Sequence, residues 1–300
     1  MGSLRRRSDR GLSADFVMCL AGGMRVGGLE PVEETALLTL YCRALDDLRP
    51  RPILGDHLAR EAVTALEYDF AALGVLGSTE RFVALRAKML DSRIRAFTAE
   101  CPNAVVVDLG AGLSSALFRV DPPSTVDWYS VDLPAVIALR DAVLPSDPRA
   151  HSVAASLTEP AWAESIPNDR PAIVVADGLF AFLGEPTLAA VFREVSAHFP
   201  WGMLTFYDYG KVSRAGRTAG RMLPSRRRMT QLLSSAWAFD GFTDPRHPAT
   251  WNPRLHLVEE ASAMHEPDVT AFPPIWRLAA KASTRIPAIG RKARVLSYRF

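Results

Sequence analysis

The sequence predicts an α/β chain in which a helical region precedes a doubly wound, mostly parallel sheet. Three observations carry this. From residue 104 onward, short apolar runs alternate with helix-like segments. The first of those runs, "AVVVDLGAGLSS" at 104–115, ends in an acid and a two-glycine turn. The hundred residues before it repeat their apolar positions at helical spacing.

The basic start, "MGSLRRRSDR", leads into a segment too glycine-rich for a signal peptide, so residues 1–30 are expected to form a flexible basic arm. Residues 31–47, "PVEETALLTLYCRALDD", open with a proline and two acids, which suits a helix start. Leu37, Leu38, Leu40, Tyr41 and Leu45 recur near the helical period. "RPRPILGD" breaks that helix. Two more helices are expected over 57–73 and 78–100, the second with Ser78 as its N-cap. Residues 31–103 thus read as an N-terminal helical region.

Strands are then expected in "AVVVDL", "WYSVDL", "HSVAAS", "AIVVADG" and "GMLTFYDY". Helical segments lie between them: "SSALFRV", "PAVIALRDAVL" and "EPTLAAVFREVSAHF". A basic helical insertion over about 210–245 should cap the site. "RLHLVEEA" and the terminal "ARVLSYRF" complete the strands, and the last must pair inside the sheet because nothing follows to cover it. Residues 104–300 form one core domain on this reading.

The chain has 300 residues, 48% hydrophobic and 23% charged, enough for a sizeable core and unlike a disordered chain. No apolar run approaches the roughly 18–20 residues that cross a bilayer. The three cysteines, Cys19, Cys42 and Cys101, are scattered, which suits a reducing cytoplasm. Neither they nor the six histidines show metal-ligand spacing, so no metal is expected. The net charge of +2 is uneven: residues 211–228 carry seven basic side chains and no acid. Such a segment would attract an anionic acceptor or an acidic carrier. No nucleic-acid or membrane partner is expected.

In a doubly wound sheet, ligands bind beyond the carboxyl ends of the strands. Gly110 would let the chain turn sharply there, and Gly112 would let it approach a ligand closely. Ser115 stands where a dinucleotide fingerprint needs glycine or alanine, and Asp108 would repel a pyrophosphate. An ammonium would be welcome beside Asp108. S-adenosyl-L-methionine carries an ammonium and a ribose and no phosphate. Asp132, 24 residues after Asp108 and at the end of the next strand, can accept ribose hydroxyls. A nucleotide-dependent oxidoreductase is therefore disfavoured.

"PVEETALLTLYCRAL", "VVDLGAGLSSALFRVDPP", "WYSVDLPAVIALR", "ADGLFAFL" and "RVLSYRF" together resemble the leucine carboxyl methyltransferase family. They are most similar to its bacterial, tetracenomycin-type polyketide carboxyl O-methyltransferase branch. The resemblance implies a class I methyltransferase fold, Rossmann-like, with seven strands of which the last is antiparallel. It implies S-adenosyl-L-methionine as cofactor and methyl transfer to oxygen. By position, Arg86 matches the arginine that meets the cofactor carboxylate, Gly110 the glycine of the turn, and Asp132, followed by Leu133, the acid on the ribose. Ser156 and Leu157 fall where the family has an acid and a leucine beside the adenine, so Ser156 departs from the pattern. Asp177 falls where eukaryotic members have glutamate near the methionyl end, and Phe182 where they have tyrosine. Trp128 and Phe182 are read as core.

A carboxylate acceptor, with a pKa of about 4, is ionised at neutral pH and needs no base; a phenol, near about 10, benefits from one. His247, His256 and His265 show no diagnostic spacing and are read as surface or strand residues, so no catalytic residue is assigned. Tyr207, Tyr209 and Arg254 are candidates for holding the acceptor. The expected function is O-methylation of a small natural product, forming a methyl ester. A phenolic or hydroxyl acceptor, and a non-catalytic protein that binds the same cofactor, are the alternatives.

Overall fold

The computed structural model describes residues 17–20, 23–75, 77–210, 227–286 and 290–300. The first helix, α1 (Pro31–Asp47), starts where the proline and acids place it. The Glu33 carboxylate accepts from the Glu30 amide at 2.8 Å, closing a capping box. The segment expected as one helix over 57–73 divides. Helix α2 (His57–Ala65) stops at a two-residue strand, β3 (Leu66–Glu67), and a 3₁₀ turn follows at Phe70–Leu73. Asp69 caps that turn by accepting from the Ala72 amide at 3.1 Å. β3 pairs with β2 (Gly23–Val26), which pairs with β1 (Val17–Leu20). Residues 17–20 and 23–26, read as part of a flexible arm, are strands. Helix α3 (Gly77–Glu100) begins one residue before Ser78, which lies inside its first turn and is not the cap.

The remaining strands are β4 (Val105–Leu109), β5 (Asp127–Asp132), β6 (Ala150–Ala154), β7 (Ala172–Ala176), β8 (Gly202–Asp208), β9 (His256–Ser262) and β10 (Arg294–Arg299). They form one sheet in the order β6-β5-β4-β7-β8-β10-β9. β4 to β8 run parallel, and β10 lies antiparallel between β8 and β9. The terminal strand is thus inside the sheet, and the class I methyltransferase fold holds.

Both faces of the sheet are covered. Val105, Val107 and Leu109 face a core containing Phe192, Phe199 and Tyr298. Val106 faces the other way, with Trp128, Ile173 and Leu85. Helices α4 (Ala116–Val120), α5 (Pro134–Val143) and α6 (Glu185–His198) make the connections. Later helices are α7 (Arg227–Ala236) and α8 (Pro274–Ser283), the second unanticipated from sequence. Residues 211–226 of the expected basic cap lie outside the described residues. The strand order reverses between β4 and β7, and the site lies at the carboxyl ends there.

Candidate functional site

The carboxyl ends of β4, β5, β7 and β8 open into a cavity of about 650 Å³. Arg86, Asp108, Gly110, Gly112, Asp132, Leu133, Ser156, Leu157, Asp177, Tyr207 and Tyr209 all line it. The fold therefore brings together every expected cofactor residue and both tyrosines.

The turn after β4 takes left-handed conformations at Gly110 (φ 62°) and Gly112 (φ 51°). A Cβ on Gly110 would lie 2.7 Å from Leu179 Cδ1. At Gly112 the neighbour within reach is Ala36 Cβ of α1, 3.4 Å away, so close approach there is by a helix. Asp132 is oriented by two amides. Its Oδ2 accepts from Gly112 and its Oδ1 from Leu133, each at 2.7 Å. Burial raises the Asp132 carboxyl, and these donors oppose the rise. Asp108 is buried more fully, and burial pushes its carboxyl up to about 7. Arg140 opposes that shift and the charge of Asp177 adds to it. A cation beside Asp108 would favour its ionised form.

Arg86, buried on α3, places Nε 2.7 Å from Asp177 Oδ1. Its N–H does not point along that contact, which is an ion pair and not a hydrogen bond. Nη1 donates to the Tyr209 hydroxyl. Burial alone would lower the guanidinium pKa, but Asp177 together with Tyr209, Tyr207 and Cys42 outweighs it and holds the group above the ordinary arginine value. Gly178 (φ 76°) makes room: a Cβ there would sit 2.9 Å from Arg86 Nη2. The rings of Tyr207 and Tyr209 meet edge to face at 5.2 Å, while Asp208 between them turns away to Arg294.

Two expectations, for Arg254 and Phe182, are corrected. Arg254 is remote from the cavity and donates to the carbonyls of Ser196 and Pro200, the latter at 3.0 Å. Arg299 pairs with both Met203 and His256, so β9 begins beside the start of β8, and residue 254 falls at the opposite end of the sheet. Phe182, read as core, lines the cavity, whereas Trp128 is fully buried in the core. Arg228, counted in the basic segment, is paired with Glu34 of α1 at 2.5 Å. His247 faces Glu185 at 3.4 Å and His265 meets Ser283 Oγ at 3.1 Å, while His256 is exposed on β9. None of the three is among the described lining residues.

Sequence reasoning missed part of the cavity wall. Phe82 on α3, Trp237 after α7, Trp276 on α8 and Lys292 before β10 line it. Trp276 packs edge to face on Phe82 at 4.8 Å, and Trp237 lies 5.1 Å from Tyr209. Lys292 could have been found, since the antiparallel terminal strand returns residue 292 to the carboxyl end of β8.

A profile described as leucine carboxyl methyltransferase matches residues 36–196. The tetracenomycin polyketide synthesis O-methyltransferase TcmP of Streptomyces glaucescens is 35% identical over 91% of this chain and 98% of its own length. The S-adenosyl-L-methionine-dependent methyltransferase dpfgK of Gibberella zeae is 28% identical over 79% of this chain and 84% of its own. The crystal structure of a candidate methyltransferase from Thermobifida fusca superposes with a TM-score of 0.52 at 16% identity, covering 86% of this chain and 93% of that one. The profile spans more than half of the chain and agrees with the nearly full-length likeness to the Streptomyces protein. This chain is an S-adenosyl-L-methionine-dependent methyltransferase and belongs to the leucine carboxyl methyltransferase family.

Proposed function

We propose that the enzyme forms a methyl ester on the carboxylate of a small natural product such as a polyketide. One observation carries the reading: a single cavity joins an acid-and-glycine end to an aromatic wall of Phe82, Phe182, Tyr207, Tyr209, Trp237 and Trp276. The name of the Streptomyces relative supports an O-methylated polyketide. The cofactor would be held by Arg86, Asp108, Gly110, Gly112, Asp132, Leu133, Ser156, Leu157 and Asp177. When bound, it supplies an electrophilic methyl group on a sulfonium that departs as a neutral thioether.

What the chain must add is alignment and exclusion of water. The aromatic wall, whose rings meet edge to face or tilted, provides an apolar surface against which the acceptor can pack. Tyr209, whose oxygen already accepts from Arg86, keeps its own O–H to donate to an acceptor oxygen. Lys292 adds a positive charge at the rim that suits an anionic acceptor, delivered free or on a carrier. No base is assigned, and an ionised carboxylate needs none. The reading keeps 31–103 as an N-terminal helical region, which lends Phe82 to the aromatic wall and Arg86 to the cofactor, 104–300 as the core and the cytoplasm as the setting.

The test is product chemistry. The enzyme, labelled S-adenosyl-L-methionine and a panel of aromatic acids and phenols would be incubated, and the products treated with mild alkali. Methyl esters release labelled methanol and aryl methyl ethers do not. Label retained after alkali on every methylated product would overturn the carboxylate reading.

A further inference from the structure

We propose that Arg140 and Arg43 are positioning residues for the cofactor, fixing the carbonyls of the glycine turn and, through the turn, the amide that orients Asp132. The inference rests on the reading of this turn as the S-adenosyl-L-methionine site.

A turn with two glycines has little side chain of its own to hold it, and each glycine has many backbone alternatives. Its order must come from outside. Three successive carbonyls, those of Gly112, Leu113 and Ser114, each accept from a buried guanidinium. Arg140 Nη1 donates to Gly112 at 3.2 Å and to Ser114 at 2.6 Å. Arg43 Nη2 donates to Leu113 at 2.8 Å. With the carbonyls drawn back, the Gly112 amide is presented to Asp132.

The two arginines are supported differently. Arg43 Nε lies 3.0 Å from Asp56 Oδ2. Asp56 caps α2 through the Ala59 amide, accepts from the Ser115 hydroxyl and pairs with Arg119 at 2.7 Å. Arg119 in turn forks onto Asp91 at 2.9 and 3.1 Å. Ser115, the residue that spoils the dinucleotide fingerprint, is therefore a member of this anchor. Arg140 is also buried, but its hydrogen bonds go to the two turn carbonyls. Burial lowers its pKa, and the charge of Asp108 is the main opposing influence. Burying a guanidinium on carbonyls is a costly way merely to fill space.

Removing Arg140 would therefore act twice. It frees two turn carbonyls, and it removes the cation that most favours the ionised form of Asp108. The other charges acting on Asp108 are Arg119 on α4, Asp177 after β7 and Asp132 at the end of β5. Arg43 and Arg86 line the same cavity. A residue that only packed would move neither the affinity nor the pH dependence of ligand binding in the folded protein.

The experiment is calorimetry of S-adenosylhomocysteine on the full chain from about pH 6 to about pH 9, the range that brackets the Asp108 titration. Wild type would be compared with Arg140→Met, Arg140→Lys and, as a control, Arg149→Met. Arg149 ties Asp147 and the Pro122 carbonyl just before β6, at the far end of the sheet. We expect Arg140→Met to bind at least about tenfold more weakly at high pH, the loss expected when bonds to a charged group go. Its pH midpoint for binding should rise. Arg140→Lys should bring the midpoint back but not the full affinity, because an ammonium lacks the planar fork. At saturating cofactor the acceptor KM should be unchanged. Arg149→Met should lose stability and keep both affinity and midpoint. Should Arg140→Met fail to fold, the affinity deficit of Arg140→Lys decides alone. Wild-type affinity and midpoint in a folded Arg140→Met, or full affinity in Arg140→Lys, would overturn the inference and leave the cofactor reading intact. Wild-type protein that ignored S-adenosylhomocysteine would overturn both.

Discussion

The amide of Gly112 donates to the Asp132 carboxylate across 2.7 Å, tying the turn after β4 to the end of β5. With the Leu133 amide on its other oxygen, the carboxylate is oriented before any ligand arrives. Each oxygen keeps a lone pair for a further donor. Asp132→Ala removes a charge-assisted acceptor and leaves the Gly112 amide unpaired. Cofactor binding should weaken by about 1.5–3 kcal/mol. Calorimetry on the folded variant checks this, and unchanged affinity would show that the ribose lies elsewhere.

The Arg86–Asp177 pair depends on a missing side chain. Gly178→Ala would force a left-handed conformation on alanine and bring its Cβ to 2.9 Å from the guanidinium. The backbone strain alone should cost about 1–3 kcal/mol. The displaced guanidinium should also weaken S-adenosylhomocysteine binding. A variant as stable as wild type, with unaltered affinity, would show that Arg86 moves aside freely and does not meet the ligand.

The central strands β4 and β7 were legible because a strand buried on both faces reads as an unbroken apolar run, as "VVV" and "AIVVA" do. The acids and glycines at their ends were legible for the same reason: they mark where burial stops and the cavity begins. What stayed hidden depends on tertiary pairing. Leu66–Glu67 continue a helical pattern, yet β2 offers them backbone partners. Trp237 and Trp276 lie outside every strand, and only folding brings them to one cavity. Arg254 misled because its place depends on the direction of β9, which composition does not reveal.

That placement gives its own prediction. Arg254→Ala should leave acceptor and cofactor KM values alone. It should destabilise the fold by about 1–3 kcal/mol, since it strips a charged donor from the carbonyls of Ser196 and Pro200. Paired denaturation and kinetics would check it. A raised acceptor KM with intact stability would return Arg254 to the acceptor site.

Asp108 sets a pH dependence. Its carboxyl stands at about 7 in the folded protein because burial penalises the charge. In the unfolded chain it would titrate near the ordinary value of about 3.9. Folding thus retains a proton that the unfolded chain releases. The contribution of this group to stability is fully present below about pH 4 and is lost as pH rises to about 7. Binding of an ammonium-bearing ligand runs the other way, because it needs the carboxylate. S-adenosylhomocysteine affinity should therefore rise with pH and level off above about 7. Asp108→Asn should flatten the profile, and a wild-type profile without this rise would remove Asp108 from the ammonium site.

Trp237 carries the last prediction. Its indole N–H is buried without a hydrogen-bond partner among the described residues, while the ring lines the cavity beside Tyr209. A buried unpaired donor costs about 1–3 kcal/mol, and a bound acceptor could repay that by presenting an oxygen. Trp237→Phe keeps an aromatic ring and deletes the donor, whereas Trp237→Ala deletes both. If the N–H meets an oxygen of the acceptor, Trp237→Phe should raise acceptor KM several-fold and leave cofactor affinity unchanged. Trp237→Ala should raise it further, through lost stacking area. The phenylalanine variant should also be at least as stable as wild type without ligand, because it no longer buries an unsatisfied group. Kinetics and thermal unfolding on the two variants separate the contributions. An acceptor KM unmoved in Trp237→Phe but raised in Trp237→Ala would reduce Trp237 to a stacking surface, and no change in either would take it out of the acceptor wall.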